Sequence, residues 1–121
     1  MHEEQLRATM GLPGTSHLSS WRGFSGARYV VGIHRFEEAE LLDIAEAVVM
    51  AVRRGRNGEA EIVDAREAGP QARENARRDW FARLAAFGAN ELHVHRLARD
   101  AEGRRAIIAD LTGSRARRAV N

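Results

Sequence analysis

Ala47-Val48-Val49-Met50-Ala51-Val52-Arg53-Arg54-Gly55-Arg56-Asn57-Gly58-Glu59-Ala60-Glu61-Ile62-Val63-Asp64-Ala65 is the stretch whose conformation decides the fold. Leu41, Ala45, Val48, Val49 and Val52 recur with a helical period. Acids at Glu37, Glu38 and Glu40 ahead of them, and arginines with Gly55 behind, would frame one helix from Phe36 to Arg54. The run Ala47–Val52 reads equally well as a buried strand, and periodicity alone does not separate the two. The flanking chemistry is more informative. Gly55-Arg56-Asn57-Gly58 is a strong turn, and Glu59 to Ala65, with Ile62 and Val63, is a natural antiparallel partner. The reading taken is a short helix over 37–44 followed by a hairpin of strands.

Downstream, Pro70 can open a helix and Gly88 can close it, with Ala76, Trp80, Leu84 and Phe87 as its apolar stripe. Arg73 and Arg77 are one turn apart on that helix and share a face. Glu91 to Leu97 alternates as a strand, with Leu92 and Val94 on one side and His93 and His95 on the other. A last helix starts at the N-cap Asp100, buries Ile107, Ile108 and Leu111, and ends at Gly113. Upstream, Leu18 to Arg35 reads as two strands around Gly23-Phe24-Ser25-Gly26, with Tyr29, Val31 and Ile33 on one face. Gly11-Leu12-Pro13-Gly14-Thr15-Ser16 is a flexible stretch, so order is expected to begin near His17.

The organisation expected is a flexible N-terminus over 1–16, a single domain over 17–113 and a basic tail over 114–121. Its class is α/β of the α+β kind: a small, mainly antiparallel sheet flanked by helices, with an N-terminal strand hairpin. A chain of 121 residues suits one core, and 44% hydrophobic with 30% charged residues is ordinary globular usage. No apolar run approaches the ~18 residues of a membrane span and Met1 to Gly11 lacks a secretory segment, so a cytoplasmic protein with no membrane partner is expected. Without cysteine there are no disulfides and no thiolate metal ligands.

All 19 basic residues are arginine, the signature of a GC-rich genome. Guanidinium groups also suit bidentate contact with phosphate. Arg53, Arg54, Arg56, Arg73, Arg77, Arg115, Arg117 and Arg118 form the clusters that would meet a nucleic-acid backbone, DNA or RNA. Glu37, Glu38, Glu40, Asp43 and Glu46 lie apart from them, as a solvated helix face lacking the spacing and central glycine of a calcium loop. Trp21-Arg22-Gly23-Phe24-Ser25-Gly26-Ala27-Arg28-Tyr29 mixes aromatics and arginine as a stacking surface would, and equally as an edge hairpin with an aromatic anchor.

Metal and nucleophile readings are less specific. His93 and His95 share a face, and His34 is on another strand that can be adjacent, but spacing fixes no tetrahedral set. Partly exposed strand histidines are the plainer account, and no cofactor is expected. Ser25 lacks the glycine spacing of a hydrolase elbow and reads as a turn residue.

From about Ala47 to Asn121 the order of elements resembles the GIY-YIG nuclease fold. Ala47-Val48-Val49 and Val63-Asp64-Ala65 resemble the two motif strands, without their tyrosines. Arg73 resembles the family's helical arginine and Asn121 its terminal asparagine, while Trp80 to His95 resembles the helix, turn and strand of some bacterial members. The metal-binding glutamate of the family would fall at Ile108, with Asp110 nearby on another face. Aliphatic side chains neither hold a cation nor orient water. The resemblance therefore implies a non-catalytic binding or interaction module, contacting nucleic acid through its arginines. The rival readings are a metal-dependent nuclease or phosphoester hydrolase using Asp64, Glu67 or Asp110 with a divalent ion, and a plain protein-interaction domain.

Overall fold

A computed structural model describes residues 2–5, 17–36, 44, 46–68 and 74–113. The chain runs β1 (His2–Gln5), β2 (His17–Arg22), β3 (Arg28–Arg35), β4 (Ala47–Arg54), β5 (Ala60–Ala68), α1 (Glu74–Ala86), β6 (Glu91–His95) and α2 (Ala101–Thr112). The strands form one six-stranded sheet in the order β1-β2-β3-β6-β4-β5, every neighbouring pair antiparallel. This is the α+β architecture expected from the sequence, including the hairpin of β2 and β3.

The decisive stretch is a strand followed by a tight turn and a second strand. Ala47 to Val52 is buried without interruption because β4 is an inner strand with an apolar layer on each side. Ala47, Val49 and Ala51 join Leu92, Val94 and the α1 residues Trp80, Phe81 and Leu84 on one face. Val48, Met50 and Val52 join Trp21, Val31, Ala65 and the α2 residue Leu111 on the other. Helical periodicity within this run was thus the by-product of two buried faces. On β5 the register slips between Ala51↔Asp64 and Val52↔Ile62, leaving Val63 as a bulge. Ile62 packs on the α2 side, while the bulge turns the neighbours Val63 and Asp64 both to the α1 side.

Two boundaries differ from the sequence reading. His2–Gln5, inside the segment expected to be flexible, is a strand paired with β2 in the register Glu3↔Trp21. Its four polar residues show no apolar alternation; the backbone ladder and the Glu3–Arg54 ion pair contribute to holding it. The helix expected over 37–44 lies outside the described residues except for Ile44, which is buried in the α1-side core. Both ends of α2 are as expected: Asp100 accepts a hydrogen bond from the Gly103 N–H, and Gly113 closes the helix at φ 67°.

The sheet is strongly curled. Glu3 on β1 and Arg54 on β4 are separated by β2, β3 and β6. Across a flat sheet those four steps would be about 19 Å, more than the two side chains reach. Their charged groups nevertheless meet at 2.6 Å. The α2 side is therefore the concave one, with α2 against one end of it and a polar seam at the other. Among the described residues no helix is long and apolar enough to cross a membrane.

Candidate functional site

The polar seam is built from residues that alternate onto the concave face. Glu3 faces Trp21 across β1 and β2, His93 faces Met50, and Glu91 faces Val52 across β6 and β4. The Arg54 guanidinium holds both Glu3 oxygens at 2.6 and 2.8 Å and both Glu91 oxygens at 3.0 and 3.2 Å. It also donates to the Gly58 carbonyl at 2.9 Å, tying the β4–β5 turn to the seam. The Trp21 indole donates to His93 Nδ1 at 2.9 Å. Because indole only donates, His93 Nδ1 accepts and the ring proton sits on Nε2, 2.9 Å from Glu91 Oε1. Burial pushes the Glu91 carboxyl up, but the hydrogen bonds from His93 and Arg54 outweigh it and hold Glu91 at about 2. Burial raises and the Arg54 bond lowers the Glu3 carboxyl, with a net shift below the ordinary glutamate range.

A second cluster fastens α2 to the β2–β3 turn. Asp110 accepts from the Ser25 N–H at 2.8 Å, the Ser25 hydroxyl at 2.7 Å and the Tyr29 hydroxyl at 2.7 Å. Its backbone carbonyl accepts from the Phe24 N–H. Gly23 is required here, since a Cβ at that position would stand 2.1 Å from the Asp110 carboxylate. Burial and then the Asp110 carboxylate push the Tyr29 hydroxyl up to about 12. Tyr29 is the only tyrosine in the chain, so phenolate absorbance reports it alone. For Asp110→Asn we expect that titration to move down towards 10.0 without reaching it, because burial remains. A cost of about 1 kcal/mol should accompany it. An unmoved midpoint would show that the clamp does not form in solution.

The histidines expected as metal candidates do not converge. His34 pairs with Leu92 and Ile33 with His93, so His34 lies on the α1 side while His93 and His95 lie on the α2 side. His93 is bound to Trp21 and Glu91, and His95 Nδ1 lies 2.7 Å from the Val30 carbonyl oxygen. Among the described residues no group of three histidine or acidic side chains is arranged to hold a metal ion. The carboxylates of the hydrolase reading are also apart. Asp64 accepts from the Trp80 indole on the α1 side, Glu67 binds Arg104 in the first turns of α2, and Asp110 lies in its last turn. Val49 and Val63 pack on the α1 side and Ile108 on the α2 side, so the positions aligned with the nuclease motif lie on opposite faces.

The arginines separate into two kinds. Arg54, expected at a nucleic-acid surface, is instead turned into the seam, and Arg104 is buried against Glu67. Arg53 is exposed in a pair with Glu61 at 2.7 Å. Arg56, Arg83, Arg96, Arg99 and Arg105 are exposed and, among the described residues, make no hydrogen bond or ion pair. Arg73, Arg115, Arg117, Arg118 and Asn121 lie outside the described residues, and the Arg77 side chain is not described. Arg83, Arg96 and Arg99 were missed because single arginines on a helix or a connection form no cluster in the sequence, and Arg105 because the sequence does not distinguish it from its buried neighbour Arg104. Comparison with models of known families, with curated proteins and with solved structures found no match.

Proposed function

We propose that this chain is a non-catalytic interaction module that contacts nucleic-acid backbone through guanidinium groups. The supporting observation is the division of its polar side chains. Glu3, Glu91 and His93 are engaged with Arg54 and Trp21 in the sheltered seam. Among the described residues, five arginines stand in solvent without a hydrogen bond or ion pair. Arg96 and Arg99 bracket the exposed Leu97 in the connection from β6 to α2, and Arg105 follows on the exposed side of α2. Unpaired guanidinium groups on a rigid frame suit phosphate oxygens, read no sequence and release counterions on binding.

Labelled DNA and RNA, single- and double-stranded, test this by anisotropy over a salt series, with magnesium or manganese in a parallel cleavage assay. The expected result is binding without strand scission, weakening steeply with salt. Arg96→Ala and Arg99→Ala should each weaken binding to every sequence and reduce the salt slope by about one. Metal-dependent cleavage would replace the proposal with the hydrolase reading. The exposed Leu97 favours a second reading, a protein contact. Salt-insensitive recovery of one partner, lost in Leu97→Asp, together with absent nucleic-acid binding, would select it.

A further inference from the structure

The loop after α1 holds a large aromatic ring in water. Phe87 is 62% exposed although it directly follows a helix whose other large apolar residues are buried. The turn carrying it is not loose. Phe87 N–H donates to the Arg83 and Leu84 carbonyls, Gly88 to Ala85 and Ala89 to Leu84. Asn90 then fastens this turn to β4, accepting from the Arg54 N–H at 2.9 Å and donating to the Arg54 carbonyl at 3.1 Å. Its own N–H donates to the Val52 carbonyl. On the β4 side, the Gly58 carbonyl is gripped by Arg54, which fixes the hairpin turn bearing Arg56. An exposed aromatic ring is thereby presented on a fixed base.

Arginines lie near the turn that carries the ring. Arg53 lays its stem against Gly88, close enough that a Cβ there would be 3.2 Å from Arg53 Cδ, and its Nη1 is 3.4 Å from the Phe87 carbonyl oxygen. Gly88 has φ 94°, which permits the turn and leaves that space. Arg83 is one helical turn before Phe87, and Arg56 is in the adjoining hairpin turn. Glu59 and Glu61 oppose these charges, and Glu61 pairs with Arg53. That pair is exposed on both sides, so a phosphate oxygen can displace the carboxylate at little cost.

We propose that Phe87, with Arg53, Arg56 and Arg83, is a stacking platform for one unpaired base of a single-stranded nucleic acid. This rests on the function proposed above and narrows its ligand from nucleic acid in general to single strands. A ring exposed on one side offers its face to a splayed base of any sequence, while a base within a duplex has both faces covered. The neighbouring guanidinium groups take the flanking phosphates. Arg53 is available once it leaves Glu61.

The test is anisotropy with a labelled mixed-sequence oligonucleotide and its duplex, on wild type, Phe87→Ala, Phe87→Trp and Glu61→Gln. Phe87→Ala should lower single-strand affinity about tenfold and leave duplex affinity unchanged. Phe87→Trp should retain or raise it, and Glu61→Gln should raise it by freeing Arg53. The ring is exposed, so the variants should keep the wild-type melting temperature. Wild-type binding that Phe87→Ala does not weaken, or weakens equally for duplex, overturns the platform and leaves the backbone-binding function standing. If wild type binds neither form, both proposals fall.

Discussion

Urea unfolding of Arg54→Met is expected to show a loss of about 3 kcal/mol relative to wild type. Arg54 is the one cation between two carboxylates, and the side chains of Arg54, Glu3 and Glu91 are only 16%, 7% and 22% exposed. Removing it leaves two anions facing each other in a sheltered site. The Gly58 carbonyl loses its donor as well. Glu3→Gln should cost less, because Arg54 keeps Glu91 and the amide still hydrogen-bonds. The combined Glu3→Gln, Arg54→Met, Glu91→Gln variant should recover part of the single-variant loss, since no unpaired charge then remains. A loss below about 1 kcal/mol for Arg54→Met would place the seam among ordinary surface pairs.

Acid should act on the same seam, and its sign follows from the Glu91 carboxyl. Folding depresses that group from 4.5 to about 2, so its contribution is fully present above the unfolded value and is lost as pH falls through the window to the folded one. Screening by solvent at this partly open site keeps the contribution over that window to about 1–2 kcal/mol. Glu3, also depressed, adds in the same direction. Chemical unfolding at a series of pH values should therefore give a stability that declines from pH 4.5 towards 2, and a visibly flatter decline in Glu91→Gln. Parallel profiles for the two proteins would mean that the His93 and Arg54 bonds do not persist in solution.

Much of the fold was legible because it depends on local chemistry. Asp100 and Gly113 bracket α2 as capping rules require, and Gly55 to Gly58 makes the turn that settled β4 as a strand. β1 was hidden because Glu3 is tied to Arg54, a residue far along the chain, and short-range patterns do not carry that information. His93 and His95 were correctly placed on one face, but their partners, Trp21 and the Val30 carbonyl, come from other strands. Alternation tells which side a histidine is on and leaves open what meets it there. Arg53 and Arg54 illustrate the same limit. Adjacent and identical in type, they point to opposite faces of β4, one into solvent beside α1 and one into the seam. The bulge at Val63 puts Val63 and Asp64 on one face and so breaks the alternation of β5, which a pattern of period two does not foresee.

The reach of Glu3 to Arg54 also predicts an order of events during folding. Their ion pair closes a loop of about fifty residues, and Arg54 is oriented by Glu91, which is further still along the chain. The β2–β3 and β4–β5 hairpins can form from near neighbours, whereas β6 must insert between them before the curl exists. β1, which precedes the other described strands in the chain, is thus among the last to find its complete set of partners. Stopped-flow refolding of Glu3→Gln should accordingly change the unfolding limb and leave the folding limb nearly untouched.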